Sequence, residues 1–309
     1  MKIGILGMGG IGSFIGAKLT KNFEKDEETK VIFICRNKTK EVINKDGLSL
    51  ITGDEIIKSK PYLASDNPDE IGLLDILIVA TKSFSLAAAI GKYQDCLKEE
   101  TIIIPLQNGV NAKESIEKNI EHDPSKILEG CIYIASNIEK PGVVKHLGGP
   151  GKIFFGNNDD SDFEWVEKVL VNGGLDATYT KDIKEILWKK YLFVSPLAVM
   201  TTALDITFGA LAEEPKYMAK LEKMMREVQA LAGKFNVTLT EQNIADSLAM
   251  LSNFPYKSKS SLQLDFENQN SQTEKEDFLD FVIKNGKKFE VKVANYEEMN
   301  QKIEVLLKA

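Results

Sequence analysis

Two domains of different class are predicted, an α/β domain built on a parallel sheet and then an all-helical domain. Three observations point there. Through the first half, short runs of Ile, Val and Leu alternate with helical or loop-like spacers, the pattern of βαβ units whose strands are buried on both faces. From Thr180 onward the chain reads mainly as helix. Its 309 residues are enough for about two domains with separate cores. The expected boundary gives 1–181 and 182–309.

The strand candidates, in order, are Lys2–Leu6, Val31–Cys35, Ile76–Ala80, Ile102–Pro105 and Ile127–Ala135. Val143–His146 and Lys152–Phe155 are further candidates around a turn at Gly148-Gly149-Pro150-Gly151. In the second half, Met218, Leu221, Met225, Val228 and Leu231 recur at helical spacing. This Met-rich stripe is read as core or subunit packing, which suits a homodimer and a monomer equally. Thr238-x-x-Glu241 has the form of a capping box, and Asn295–Leu307 that of a terminal amphipathic helix.

Composition excludes several classes. Hydrophobic residues at 43% and charged residues at 28% describe a globular chain without long disorder. A net charge of -7 argues against a nucleic-acid partner while leaving room for a small basic phosphate pocket. Cys35, Cys96 and Cys131 are far apart, so neither a disulfide framework nor a zinc finger is expected, and a reducing cytoplasm fits. The uncharged run Tyr191–Leu204 is too short to span a bilayer and carries Pro196. His122 and His146 lack metal-ligand spacing, and no metal site is expected. The pairs Asp159-Asp160 and Glu213-Glu214 read as solvated turns.

Gly7-Met8-Gly9-Gly10-Ile11-Gly12 is a G-x-G-x-x-G that follows the first strand and precedes a helical run from Ser13. In that context the first glycine permits a tight turn. The second lets backbone approach a pyrophosphate, and the third lets helix pack on strand. The domain is therefore expected to be a Rossmann dinucleotide-binding domain. An NAD site usually carries an acid after the second strand; here the residues are Arg36-Asn37-Lys38. Arg36 and Lys38 would instead hold a 2′-phosphate, which favours NADPH. Solvated loop cations are the bland alternative.

Further motifs follow in order: Thr81-Lys82, Leu106-Gln107-Asn108-Gly109, Trp188-Lys189-Lys190-Tyr191, Ser260-Ser261-Leu262 and Thr273-Glu274. With the glycine fingerprint and Arg36, this ordered set resembles the ketopantoate reductase (2-dehydropantoate 2-reductase) family over nearly the whole chain. The resemblance implies a Rossmann domain that binds NADPH and a helical domain that closes over a small 2-keto acid, in a plan like that of 6-phosphogluconate dehydrogenase. It implies reduction of ketopantoate to D-pantoate on the route to pantothenate and coenzyme A. It places the general-acid lysine on Lys190, a cofactor-side lysine on Lys82, the asparagine of the Asn-Gly motif on Asn108, the substrate serine on Ser261 and a late glutamate on Glu274.

The chain departs from the family at two substrate-binding asparagines. Val194 stands where one is expected, four residues after Lys190, and Ser258 where the second would align. The interval from Ser261 to Glu274 is one residue longer than in the typical member.

A lysine can donate a proton when burial or nearby positive charge lowers its pKa. On a helix, Lys190 would share a stripe with Ile186, Leu187, Phe193 and Val194, whereas Lys189 has Glu185 four residues earlier, as in an exposed ion pair. The bland reading of Lys190 is a snorkelling stem. Lys82 and Asn108 each follow a strand at its C-terminal end, where ligands bind open α/β sheets. Their bland readings are a loop lysine and an Asn-Gly turn. Ser271-x-x-Glu274 also has the form of a capping box, so Glu274 has a structural reading beside the functional one. Three functions compete: ketopantoate reduction, reduction of another 2-keto acid, and a catalytically silent NADP-binding protein.

Overall fold

The computed structural model describes residues 1–158 and 162–307; the expected turn at Asp159-Asp160 lies outside them. The chain divides into two compact units, Met1–Gln107 with Asn111–Ile183, and Asn108–Val110 with Lys184–Ala309.

The first unit opens with β1 (Lys2–Leu6), α1 (Gly10–Asn22), β2 (Lys30–Ile34) and α2 (Asn37–Asp46). Then come β3 (Leu48–Thr52), β4 (Glu55–Ser59), β5 (Leu63–Ser65), α3 (Pro68–Ile71) and β6 (Leu74–Val79). The remainder is α4 (Leu86–Lys92), β7 (Leu97–Pro105), α5 (Ala112–Glu117), β8 (Glu129–Lys140), β9 (Val143–Gly156), α6 (Glu164–Asn172) and β10 (Ala177–Tyr179). The main sheet is parallel, in the order β5-β2-β1-β6-β7.

Period-two alternation splits each strand between two cores. Ile3, Ile5, Phe33, Ile76, Ile78, Ile102 and Ile104 enter the cluster that includes Phe14 and Ile15 of α1. Leu6, Ile32, Ile34, Leu77, Val79 and Ile103 enter the opposite cluster with Leu86 and Ile90 of α4. Burial on both faces is why these strands read as continuous apolar runs. Each such side chain contributes about 1.5–3 kcal/mol by leaving water.

The fifth strand of this sheet is β5, which the sequence pattern did not reveal. It is a three-residue edge strand, Leu-Ala-Ser, too short for an apolar run. The strand expected over Ile127–Ala135 forms instead as part of β8, antiparallel to β9, in a second sheet of order β10-β9-β3-β4. The two strands expected around Gly148–Gly151 are one strand, β9. Its glycines, with Gly149 at φ 78°, sit where the pairing with β8 slips register, so they make a bulge and not a turn. The β3–β4 hairpin turns at Gly53-Asp54, a dipeptide suited to a two-residue hairpin loop.

The second unit is helical: α7 (Ile183–Leu204), α8 (Phe208–Glu213), α9 (Pro215–Lys234), α10 (Glu241–Met250), α11 (Ser261–Glu267), α12 (Phe281–Lys288) and α13 (Ala294–Leu306). A π-helical turn, Glu276–Asp280, leads into α12. The stripe of α9 is core: Leu221, Met225, Val228 and Leu231 are fully buried and Met218 packs at their edge. The capping box of α10 uses Thr240 and Asn243 and not Thr238 and Glu241, because the helix begins two residues later than the spacing suggested. No helix among the described residues is long and apolar enough to cross a membrane.

Candidate active site

In the first unit the candidate groups gather at the C-terminal edge of the parallel sheet. Gly7 leaves β1 at φ 96°, a conformation that L side chains rarely adopt, and its N–H donates to the Ile34 carbonyl at 3.1 Å. A Cβ on Gly12 would meet the Gly7 carbonyl oxygen at 1.9 Å, and one on Gly10 would meet the Ser136 carbonyl oxygen at 2.1 Å. Both are therefore closed to other residues by backbone. A Cβ on Gly9 would meet nothing within 4 Å, so the space beside this residue is open. Gly9 is the N-cap of α1, which has no side-chain cap and no acid in its first turn. Uncapped N–H groups beside open space fit a phosphate group of a dinucleotide. Met8 is buried in the core and Ile11 packs against it.

After β2, Cys35 is buried and its thiol is pushed up to about 12 by burial. Arg36 and Lys38 are both exposed. Lys38 pairs with Glu41 at 3.3 Å, while Arg36 has no ion-pair partner among the described residues. An acid does stand nearby on the neighbouring strand. Asp66, just after β5, pairs with Lys40 at 2.5 Å, and this bond holds its carboxyl below the usual range. Nothing in the linear sequence marks the Lys40–Asp66 pair, because 26 residues separate them.

After β6, Lys82 is exposed and opens a short turn, Ser83–Ser85. Gln107, buried at the end of β7, donates from Nε2 to the carbonyls of Val79 and Thr81, each at 3.2 Å. It ties the two strand ends together, a role its place in the Leu-Gln-Asn-Gly motif did not disclose.

The second group lies in the helical unit. The segment Asn108–Val110 belongs to this unit, although β7 delivers it. Lys190 Nζ donates to Asn108 Oδ1 at 2.9 Å, joining residues 82 apart in sequence. Lys190 is half-buried on α7, and Val194, one turn later, is half-buried against the helical core. Lys189 makes its exposed pair with Glu185 at 2.6 Å. The two adjacent lysines thus occupy different environments. Glu274 is 3% exposed, a carboxyl in the core. The helical stretch after it starts at Lys275, whose N–H donates to Thr273 Oγ1 at 3.3 Å, so Thr273 supplies a cap there.

Ser261 is the exposed first residue of α11. Ser260 is the buried N-cap; its Oγ accepts from Gln263 N–H and lies 3.0 Å from Thr201 Oγ1. Ser258 contributes its carbonyl to the Phe208 N–H at 2.9 Å. Both histidines have structural bonds: His122 Nε2 lies 2.8 Å from the Thr101 carbonyl, and His146 bridges Thr52 Oγ1 and the Gly149 carbonyl. Among the described residues no cluster of His, Cys, Asp and Glu has the makings of a metal site. Glu213 accepts from Tyr256 Oη at 3.0 Å, and Glu214 pairs with Lys216 at 3.9 Å.

Known proteins resemble the chain in both units. An uncharacterized oxidoreductase of Bacillus subtilis, YkpB, is 26% identical over 291 residues, with 93% of each chain covered. A 2-dehydropantoate 2-reductase of Mesorhizobium japonicum is 27% identical over 263 residues, with 77% of each chain covered. The ternary structure of D-mandelate dehydrogenase with NADH and anilino(oxo)acetate superposes with a TM-score of 0.87 at 21% identity, covering 99% of this chain and 98% of that one. Residues 3–160 match the family Ketopantoate reductase PanE/ApbA, and residues 182–305 match Ketopantoate reductase PanE/ApbA C terminal. The chain therefore belongs to the ketopantoate reductase PanE/ApbA family, a family of 2-keto acid reductases that use a nicotinamide cofactor.

Proposed function

We propose that the protein reduces a 2-keto acid with NADPH, with ketopantoate (2-dehydropantoate) as the first candidate and D-pantoate, a precursor of pantothenate and coenzyme A, as the product. The observation that carries this reading is the bond from Lys190 Nζ to Asn108 Oδ1 in a chain of this family. The bound nicotinamide would supply the hydride. Lys190 is the proton donor to the substrate carbonyl oxygen, and Asn108 fixes the direction of its ammonium. Glu274, a buried carboxyl in the same unit, helps to hold Lys190 or the substrate. Ser261 offers its exposed hydroxyl to the substrate carboxylate, and Lys82 serves the cofactor or substrate from the sheet edge.

The uncapped N-terminus of α1 takes the pyrophosphate, with Gly9 leaving room for it. Arg36, with no ion-pair partner among the described residues, grips a 2′-phosphate, with Lys38 as a second cation. Because Asp66 is paired with Lys40, it does not present a free carboxylate to that phosphate. Three buried cysteines, none in a disulfide, fit a reducing compartment, the cytoplasm.

A second reading rests on Val194, half-buried where a hydrogen-bonding asparagine is typical. In it the substrate is an apolar 2-keto acid without the hydroxyl of ketopantoate. Phenylglyoxylate, the keto acid corresponding to mandelate, belongs in the panel on that account. Steady-state oxidation of NADPH and of NADH against ketopantoate, its analogue without the hydroxyl and branched or aromatic 2-keto acids tests both readings. Turnover of none of them would leave a nucleotide-binding protein without this chemistry.

A further inference from the structure

The turn that follows Glu274 is not α-helical. Glu276–Asp280 winds as a π-helix before α12 resumes the ordinary register. Such a turn displaces its carbonyls from their usual helical partners and occurs often at functional sites. Here α7, the helix of Lys190, supplies donors to two of those carbonyls. Tyr191 Oη donates to the Asp277 carbonyl at 2.5 Å, and Ser195 Oγ donates to the Phe278 carbonyl at 2.7 Å. With that proton committed, Ser195 Oγ accepts from Tyr296 Oη of α13, 2.7 Å away.

Tyr191 is 2% exposed, and Ser195 and Tyr296 are 0% exposed, so no water competes for these bonds. Burial pushes both tyrosine hydroxyls well above the ordinary tyrosine range, which keeps them protonated as donors.

The two α7 donors sit next to the residues that matter for the reaction. Tyr191 directly follows Lys190, and Ser195 directly follows Val194. They are one helical turn apart and bind successive carbonyls of the π turn. The Phe278 N–H in turn donates to the Glu274 carbonyl at 3.2 Å. A short path of bonds therefore connects the rotation of α7, which sets where Lys190 points, to the backbone of Glu274.

We propose that Tyr191 and Ser195 are positioning residues that hold the π turn in register with α7 and thereby set the environment of the Lys190 ammonium. The proposal rests on the reading of Lys190 and Glu274 given above. It assigns neither hydroxyl a contact with substrate.

Tyr191→Phe keeps the edge-on ring contacts to Trp188 and Phe281, at 5.7 and 5.9 Å, and removes only the donor. Ser195→Ala removes the second donor. The first measurement is the pH titration of Lys190 by NMR of the full-length protein after 13C reductive methylation. Loss of one resonance in Lys190→Arg identifies the signal. The expected result is a shifted Lys190 midpoint in both variants; an unmoved midpoint in both overturns the proposal, whatever their melting temperatures.

The second measurement is kcat with the best 2-keto acid of the panel. A decrease of roughly 10- to 100-fold is expected in both variants, with KM for NADPH unchanged. Parent-like kcat in both variants beside an impaired Lys190→Ala also overturns it. If Lys190→Ala itself keeps the parent kcat, or if no keto acid turns over, the catalytic reading of Lys190 has failed. The Lys190 titration then still decides whether Tyr191 and Ser195 set its environment.

Discussion

At the sheet edge the groups assigned to the nucleotide are backbone or exposed. Gly9 borders open space, and Arg36, Lys38 and Lys82 are exposed at the strand ends. In the helical unit the corresponding groups, the exposed Ser261 apart, are in or against the core, with Lys190 on Asn108 and Tyr191 and Ser195 on buried carbonyls. The contrast follows from the tasks. A charged phosphate can be held by strong bonds from groups that remain partly in water. A proton donor must be held in one direction, and a buried network does that more firmly than a solvated one.

The widest separation between the two regions is expected from Lys190→Ala. It should lower kcat by roughly 100-fold or more while NADPH affinity, measured by fluorescence titration, stays within twofold. Loss of NADPH affinity with kcat intact would reverse the assignment of the two regions.

Arg36→Ala should do the opposite. A charge-assisted bond to phosphate contributes roughly 1.5–3 kcal/mol, so the preference for NADPH over NADH should fall by about 10- to 100-fold with kcat at saturation unchanged. An unaltered ratio of the two dissociation constants would remove Arg36 from the 2′-phosphate site.

Val194 tests whether the helical side also sets specificity. On the second reading, in which Val194 lines the substrate pocket, kcat/KM should favour keto acids lacking the ketopantoate hydroxyl, by roughly 1–3 kcal/mol per misplaced polar group. Val194→Asn should move the ratio back toward ketopantoate. A strong ketopantoate preference in the parent would instead show that another donor, such as Ser258, serves that hydroxyl.

Glu227 is a buried acid of the helical unit outside the proposed chemistry, and it isolates burial from catalysis. Its carboxylate accepts from Asn295 N–H, Asn295 Nδ2 and Tyr296 N–H at the start of α13. Burial nonetheless holds its pKa above the ordinary 4.5. The folded protein then binds this proton more readily than the unfolded chain does. Its contribution to stability should therefore increase as pH falls through the folded value toward 4.5 and decrease as pH rises. The difference in melting temperature between the parent and Glu227→Gln should shift in the parent's favour across that fall in pH. A difference constant with pH would contradict it.

The smallest effect is expected from Lys189→Ala, which removes an exposed pair beside the catalytic candidate. Stability should change by less than about 1 kcal/mol, and kcat should not change. Equal effects of Lys189→Ala and Lys190→Ala would dissolve the distinction between the two lysines.

The parallel sheet was legible because doubly buried strands leave unbroken Ile, Val and Leu runs, as at Ile76–Val79. The three-residue β5 was not, because it is too short to show a pattern, and β9 was legible only as two separate strands, because its glycine bulge interrupts the alternation. At the site, Lys190 stood out by its apolar neighbours along one helix, a local property. Its partner Asn108 was named from a motif, and the bond between them spans 82 residues.

Local rules that act over a few residues were set by the sequence itself: the glycine turn that only backbone can fill, the cations after β2, the helical stripe of α9. Long-range pairings were decided by the tertiary structure: Lys40 on Asp66, Gln107 on Val79 and Thr81, the hydroxyls of Tyr191 and Ser195 on a π turn more than 80 residues away. The physical reason is that a hydrogen bond needs a partner within about 3 Å, and only the folded packing of distant elements brings one there.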